Sequence, residues 1–219
     1  MIEISDVKKS FVAQNGRTDV LKGIDLKLEP GEFGVIMGKS GCGKSTLLSI
    51  IAGLDKADSG QCMVDKKDIR HLGERELAEY RNKDIGIVFQ AFFLDESRNL
   101  LENIEVPLGY GGIGRKERRK RSTELLERFG LQDVQKKKPS QVSGGEQQRA
   151  AIARAIINNP KVLLADEPTG NLDEENTRLV LEMLSELNKK GMTILLVTHD
   201  EYVASFANRV FEMENGMIK

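Results

Sequence analysis

The sequence predicts an α/β fold in which helices cover both faces of a mostly parallel β-sheet. Short apolar segments that are typical of buried strands recur at residues 33–37, 85–89, 162–165 and 193–198. Helical segments lie between them, and a glycine-rich turn joins the first of these strands to a helix. Strands that alternate with helices pair in parallel, because each helix carries the chain back across one face of the sheet.

Two parts of the chain depart from this alternation. Residues 2–4 and 24–28 alternate apolar with polar side chains, as half-buried strands do, and we expect an antiparallel β subdomain near the N-terminus. Residues 91–159 contain helical segments and no convincing strand, which predicts an inserted α-helical subdomain. We therefore expect the 219 residues to form one domain, with a core of residues 1–90 and 160–219.

Charge and hydropathy argue against several classes of protein. The 33 basic and 34 acidic side chains give a net charge of −1, so we expect no nucleic acid as a partner. The longest apolar runs are strand-sized, far below the roughly 20 residues that cross a bilayer. Because the first residues also lack the basic start and apolar core of a signal peptide, we expect a cytoplasmic protein.

The turn after the first core strand matches the phosphate-binding loop Gly-x4-Gly-Lys-Ser in full. Its glycines let backbone N–H groups point at phosphates, and the start of the following helix adds a favourable dipole. Lys44 is placed to reach the β- and γ-phosphates, and the Ser45 hydroxyl is placed to bind Mg²⁺. The expected nucleotide-binding residues are Gly38, Ser40, Gly41, Cys42, Gly43, Lys44, Ser45 and Thr46.

Cys42 lies inside this loop, where its small size explains its presence better than a redox role does. A thiol there should nevertheless react with alkylating reagents only when nucleotide is absent. With Cys62 it makes neither a metal-binding pattern nor a disulfide framework.

The apolar strand at residues 162–165 ends in two acids and resembles a Walker B strand. Asp166 is placed to hold Mg²⁺, and Glu167 to orient or deprotonate the attacking water. An apolar strand followed by two acids is more often a strand before a helix cap. The spacing from the phosphate loop and the following run of residues 168–173 favour the catalytic interpretation.

A third motif, Ser-Gly-Gly-Glu-Gln at residues 143–147, stands at the predicted start of a helix. The backbone N–H groups of such a helix end form a second anion site, to which Ser143 adds a hydroxyl. By itself the motif is equally consistent with an ordinary helix cap.

Taken together and in this order, the motifs resemble those of the ATP-binding-cassette (ABC) ATPases, over essentially the whole chain. The resemblance implies a P-loop NTPase core and the ligands ATP and Mg²⁺. It also implies a homodimer in which Ser143, Gly145 and Glu146 of one copy close over ATP held by the other. The chain is therefore identified as a candidate ATPase subunit that powers an integral membrane permease and lies at the inner face of the cell membrane through it.

The resemblance assigns roles to four further residues. Gln90 corresponds to the catalytic glutamine that touches Mg²⁺, and Asp173 to the acid that runs between the two ATP sites. His199 corresponds to the histidine near the γ-phosphate, although a lone histidine after a strand is more often structural. Phe11 falls where the family places an aromatic ring against adenine, and could equally belong to the core.

Residues 21–26, 100–108 and 170–173 resemble the subfamily that serves lipoprotein release, macrolide or peptide efflux, and cell-division regulation. Export or mechanical transmission is therefore expected. The alternative is a cell-division complex or one that senses or resists antimicrobial peptides. Residues 95–98, Asp-Glu-Ser-Arg, replace the apolar stretch where relatives receive the permease, which suggests a more charged contact or mere drift.

Other classes fit the sequence less well. A chromosome-maintenance ATPase shares these motifs but needs long coiled-coil arms, which residues 91–161 are too few to form. A translation factor of the same superfamily carries two cassettes, and one set of motifs is present here. The basic run at residues 115–121 is expected to be a solvated helix face more than a phosphate or lipid contact.

Overall fold

The computed structural model describes residues 1–13 and 16–219, and within these ranges two β-sheets organise the chain. The first sheet consists, in chain-order numbering, of β1 (Ile2–Ala13), β2 (Gly16–Leu28), β4 (Ser59–Val64) and β5 (Lys67–Asp68). These strands pair antiparallel in the order β2-β1-β4-β5. Buried and exposed side chains alternate along the second half of β2, so one face of this sheet contributes to the core.

The second sheet is mostly parallel and carries the loops of the candidate site. Its strands are β3 (Phe33–Met37), β6 (Ile85–Val88), β7 (Val162–Asp166), β8 (Thr193–Thr198), β9 (Arg209–Glu214) and β10 (Met217–Ile218). They lie in the order β10-β9-β3-β8-β7-β6, and only β10 pairs antiparallel. The predicted fold class, an α/β core with a mostly parallel sheet and an antiparallel β subdomain, is confirmed.

Seven α-helices connect the strands of the described residues. They are α1 (Lys44–Ile51), α2 (Glu74–Lys83), α3 (Leu100–Tyr110), α4 (Arg115–Arg128), α5 (Gly144–Ile156), α6 (Glu174–Lys189) and α7 (Glu201–Ala204). Residues 89–161 are all described and contain α3, α4 and α5 without a strand. None of the described helices is both long and apolar enough to cross a membrane.

Two apolar clusters hold these layers together. The first lies between the antiparallel sheet, α1, α2 and one face of the parallel sheet. The second lies between the opposite face and helices α3, α5 and α6. At the end of α5 the helix touches β6 directly, because a Cβ on Gly86 would lie 2.5 Å from the Ala155 carbonyl oxygen. Helix α5 therefore reaches from the predicted insert to the core sheet, and the proposed bounds of the insert remain a prediction.

The buried phenol of Tyr80 ties α2 to α1, since its hydroxyl donates to the Ile51 carbonyl oxygen at 2.8 Å. We expect Tyr80→Phe to lower the free energy of unfolding by about 1–2 kcal/mol, because the buried carbonyl loses its partner. Urea unfolding followed by circular dichroism measures the change. Tyr110→Phe is the control, because Tyr110 is 83% exposed. Equal stability of Tyr80→Phe and the parent protein would contradict the assignment.

Candidate nucleotide-binding and hydrolysis site

The phosphate loop between β3 and α1 is wrapped around a buried lysine. The Lys44 side chain is 6% exposed, and its ammonium donates to the carbonyl oxygens of Gly38 and Lys39 at 2.6 and 3.0 Å. Gly43, the residue before α1, has a φ of 109°, which a side chain would strain. The loop is therefore closed around a cation, and helix α1 begins directly behind it.

Gly38 fixes the position of this loop against β9. A Cβ on Gly38 would lie 2.3 Å from the Met213 carbonyl oxygen and 2.8 Å from the Cys42 sulfur. Only a glycine permits this approach, because real Cβ atoms do not come so close to a backbone oxygen. Gly38 therefore lets the phosphate loop pack directly against β9 of the core sheet. It also leaves the loop backbone accessible to phosphates.

Ser45 and Asp166 place two oxygen ligands side by side at the start of α1 and the end of β7. The Ser45 hydroxyl donates to Asp166 Oδ1 at 3.0 Å. Burial raises the pKa of the Asp166 carboxyl, and the hydrogen bond from Ser45 opposes that rise. Hard oxygen ligands suit Mg²⁺, which usually binds one or two protein groups together with substrate phosphates. The Ser45 hydroxyl and the Asp166 carboxylate fit this mode of binding. Among the described residues, no group of three or more His, Cys, Asp or Glu side chains could hold a metal ion.

Glu167 and His199 form a hydrogen-bonded pair beside this point. His199 Nδ1 lies 2.9 Å from Glu167 Oε1, within hydrogen-bond distance. The Glu167 side chain is 18% exposed, whereas His199 is 67% exposed. Glu167 has a φ of 45°, and its N–H donates to the Val197 carbonyl oxygen at 3.0 Å. A backbone in this sparsely populated region points the carboxylate out of the strand and toward the histidine.

Gln90, two residues after the end of β6, reaches the same edge of the sheet. A Cβ on Gly170 would lie 3.2 Å from Gln90 Nε2 and 3.6 Å from Glu167 Oε2, so both side chains flank this glycine. The Asn171 side chain also donates to the Gln90 carbonyl oxygen at 3.3 Å. The structure therefore brings Gln90, Glu167 and His199 to one place, next to Ser45 and Asp166.

Phe11 lies on β1 with its ring 45% exposed. The Lys9 ammonium is 4.9 Å from the ring centroid, and Thr18 on β2 is the cross-strand neighbour. Thr18 and residues 37–42, which include Cys42, line a cavity of about 750 Å³. Phe11 is not among the residues that line this cavity; its partly exposed ring is connected to it only through the neighbouring strand residue Thr18.

The Ser143 helix end is occupied by its own side chains. Ser143 N–H and Oγ lie 2.7 and 2.8 Å from Glu146 Oε2, and Glu146 N–H donates back to Ser143 Oγ at 3.3 Å. The backbone N–H of Ser143 lowers the pKa of the Glu146 carboxyl. Within the described residues, no hydrogen bond or ion pair joins this helix end to the phosphate loop. Ser143, Gly145 and Glu146 are therefore not part of the cluster around Lys44.

Asn176, which belongs to none of the motifs, connects Asp173 to the start of α5. Asp173 Oδ1 accepts from the Asn176 N–H and side-chain amide, both at 2.8 Å. Asn176 Oδ1 accepts from the Arg149 guanidinium at 3.3 Å. It also lies 1.9 Å from the position a Cβ on Gly145 would take. Asp173 therefore caps α6 while its partner packs against α5. The three-residue spacing of a helix cap is the one signal in the sequence that points to this pair.

The polar stretch at residues 95–98 is largely satisfied within itself. Arg98 pairs with Asp95 at 3.0 Å, and the Asp95 carboxylate also accepts from the Ser97 N–H at 2.9 Å. The buried amide of Asn103 accepts from the Asp95 N–H at 2.7 Å and donates to the Asp95 carbonyl oxygen at 3.1 Å. Much of the polarity of this stretch is thus used to hold a turn on α3.

Three of the six basic residues in the run at 115–121 on α4 form ion pairs. Arg119 pairs with Glu105 at 3.3 Å, and Arg121 pairs with Glu117 at 2.7 Å. Lys120 lies 4.0 Å from Glu124. These contacts agree with the interpretation of the run as a solvated helix face.

Comparison with known proteins gives the same answer over the whole chain. The family described as ABC transporter matches residues 21–170. An uncharacterized ABC transporter ATP-binding protein of Bacillus subtilis, YknY, is 46% identical over all of this chain and 95% of its own length. The macrolide export ATP-binding/permease protein MacB of Wolinella succinogenes is also 46% identical, and this chain spans 34% of it.

Solved structures agree with this result. The ATP-binding cassette MJ0796, described as a dimer in a post-hydrolysis state bound to ADP and Pi, superposes with a TM-score of 0.93. It is 40% identical, and the match covers all of this chain and 97% of that one. The motifs, the fold and the relatives thus lead to one conclusion: the chain belongs to the ABC transporter family, as an ATP-binding protein of its ATPase class.

Proposed function

We propose that the protein is a transporter ATPase that works as a homodimer with two ATP molecules at its interface. The observation that carries this proposal is the separation of its two candidate anion sites. Both the phosphate loop and the start of α5 offer backbone N–H groups, yet no hydrogen bond or ion pair joins them in the described protomer. A second copy brings its Ser143 and Gly145 to the loop, and the dimeric MJ0796 cassette supports this arrangement.

Within one site, the described residues divide the work of phosphoryl transfer. Lys44 and the loop backbone hold the phosphates, and Phe11 stacks on the base. Ser45, Asp166 and Gln90 would hold Mg²⁺, which neutralises charge on the phosphates when bound. Glu167 orients the attacking water and accepts its proton, while the His199 imidazole fixes the direction of that carboxylate. Asp173 lies at the interface between the two sites.

The membrane partner follows from the architecture of the relatives. MacB is described as one protein with an ATP-binding and a permease part, and this chain matches 34% of its length. We propose that the present chain supplies the ATPase activity to an integral membrane permease and acts in export or mechanical transmission of a lipoprotein, peptide or drug. Its place is the cytoplasmic face of the membrane, where the permease holds it.

The role of Glu167 is tested by Glu167→Gln, which keeps the size of the side chain and removes the base. We expect ATP turnover to fall by at least about 100-fold, because general bases contribute factors of this order. ATP should still bind, and a dimer should accumulate on size-exclusion chromatography with light scattering. The matched control is Glu127→Gln on the exposed side of α4. Near-normal turnover of Glu167→Gln would show that another group is the base.

The partner is tested with the same variant, purified by affinity from native membranes in Mg-ATP. We expect a polytopic membrane protein at a one-to-one ratio, identified by mass spectrometry, because ATP holds the ATPase dimer closed on the permease. Omission of ATP is the control. Recovery of soluble or nucleic-acid-associated proteins alone would contradict a transport function.

The position of Cys42 gives a test of nucleotide binding that needs no turnover. Its sulfur is partly exposed in the loop cavity, 3.9 Å from the Lys44 ammonium. We expect Mg-ATP to slow maleimide labelling of Cys42 at least about tenfold, because thiol reactivity depends on access, and the modified protein to lose hydrolysis. Cys62 should stay unlabelled in the folded protein, because burial raises the pKa of its thiol to about 12. Equal labelling with and without Mg-ATP, with Cys42→Ser as the blank, would contradict the assignment.

A further inference from the structure

Arg154, near the end of α5, holds the segment that follows Gln90. Its guanidinium donates to the Phe93 carbonyl oxygen at 2.5 Å and to the Phe92 carbonyl oxygen at 3.0 Å. These two oxygens belong to consecutive residues, so the planar guanidinium is hydrogen-bonded to the main chain and not to a side chain. Only Ala91 lies between Gln90 and the gripped residues.

This arginine is not part of an ordinary salt bridge. Among the described residues no carboxylate forms an ion pair with Arg154, and burial lowers the pKa of its guanidinium. A half-buried cation without an acidic partner is unfavourable unless strong hydrogen bonds compensate it. The two carbonyl oxygens supply that compensation, so the side chain and the loop depend on each other.

The segment from Phe92 to Asp95 is hydrogen-bonded at both of its ends. Phe93 has a φ of 47°, a left-handed conformation that a bulky residue adopts only when its surroundings impose it. Two residues later, the buried Asn103 binds both the N–H and the carbonyl oxygen of Asp95. The segment after Gln90 is thus bound to α5 through Arg154 and to α3 through Asn103.

Helix α5 carries Ser143 at its start and Arg154 eleven residues later, about 16 Å along the axis. Gln90 belongs to the ATP site of its own copy, whereas Ser143 belongs to the site of the partner under the function proposed above. We propose that Arg154 is a positioning residue that couples these two sites by clamping the Phe92–Phe93 backbone to α5. Binding of ATP at one site thereby sets the orientation of the helix end offered to the other.

The experiment separates dimer closure from ATP binding. Arg154→Met is made in the Glu167→Gln protein, with Arg115→Met on the exposed α4 as the matched control. The affinity of the monomer for a fluorescent ATP analogue is measured at low protein concentration. The dissociation constant of the dimer in the presence of ATP is measured by analytical ultracentrifugation. We expect unchanged ATP affinity and a dimer weakened about tenfold, the order expected for loss of charge-assisted hydrogen bonds. The control should dimerise like its parent.

Two comparisons decide the result. A folded Arg154→Met variant that dimerises as tightly as its parent overturns the coupling role and leaves the proposed function intact. A parent protein that does not dimerise with ATP overturns both. If Arg154→Met does not fold, Arg154→Gln replaces it, because the amide keeps a polar side chain in place but reaches at most one carbonyl. The same loss of dimerisation without loss of ATP affinity is then expected, and its absence overturns the proposal.

Discussion

The parallel register of β3, β8 and β7 is the constraint on which the site depends. Met37 lies opposite Thr198, and Asp166 lies opposite Val197, so the three strands end at the same edge of the sheet. Because carboxyl ends of parallel strands meet there, the phosphate loop, the two acids and His199 converge although they are far apart in sequence. The register of the sheet brings the site residues together, and the hydrogen bonds of Lys44 and Ser45 then fix their side chains.

Helix α5 is hydrogen-bonded to segments that adjoin this edge of the sheet. Near the middle of α5, Arg149 contacts Asn176, which is bound to Asp173. Near its end, Arg154 grips the backbone beyond Gln90. Both contacts use arginine, whose planar guanidinium donates in fixed directions and therefore transmits orientation better than a flexible ammonium does. The helix thus contacts, at two separate points, the neighbours of two predicted site residues, Asp173 and Gln90.

The core strands and the helices near the motifs could be predicted from the sequence because their apolar runs and glycines reflect local physics. The sequence predicts no element at residues 59–64 and 74–83, since β4 buries only Cys62 and Val64 and α2 buries only Leu77 and Tyr80. The site residues with a motif could also be named in advance. The cap spacing of Asp173 and Asn176 is local, but the contact of Asn176 with Arg149 is not. The contact of Arg154 with the Phe92 backbone also joins residues far apart in the chain, and no local pattern records such pairs.

The cap at the start of α5 has a consequence for any phosphate that approaches it. In the free protomer, the Ser143 hydroxyl and N–H are already within hydrogen-bond distance of the Glu146 carboxylate. That carboxylate is an anion tethered to the helix end it satisfies. A phosphate that approached this helix end would have to compete with the Glu146 carboxylate for the Ser143 hydroxyl and N–H, and it would be repelled by the negative charge of that carboxylate.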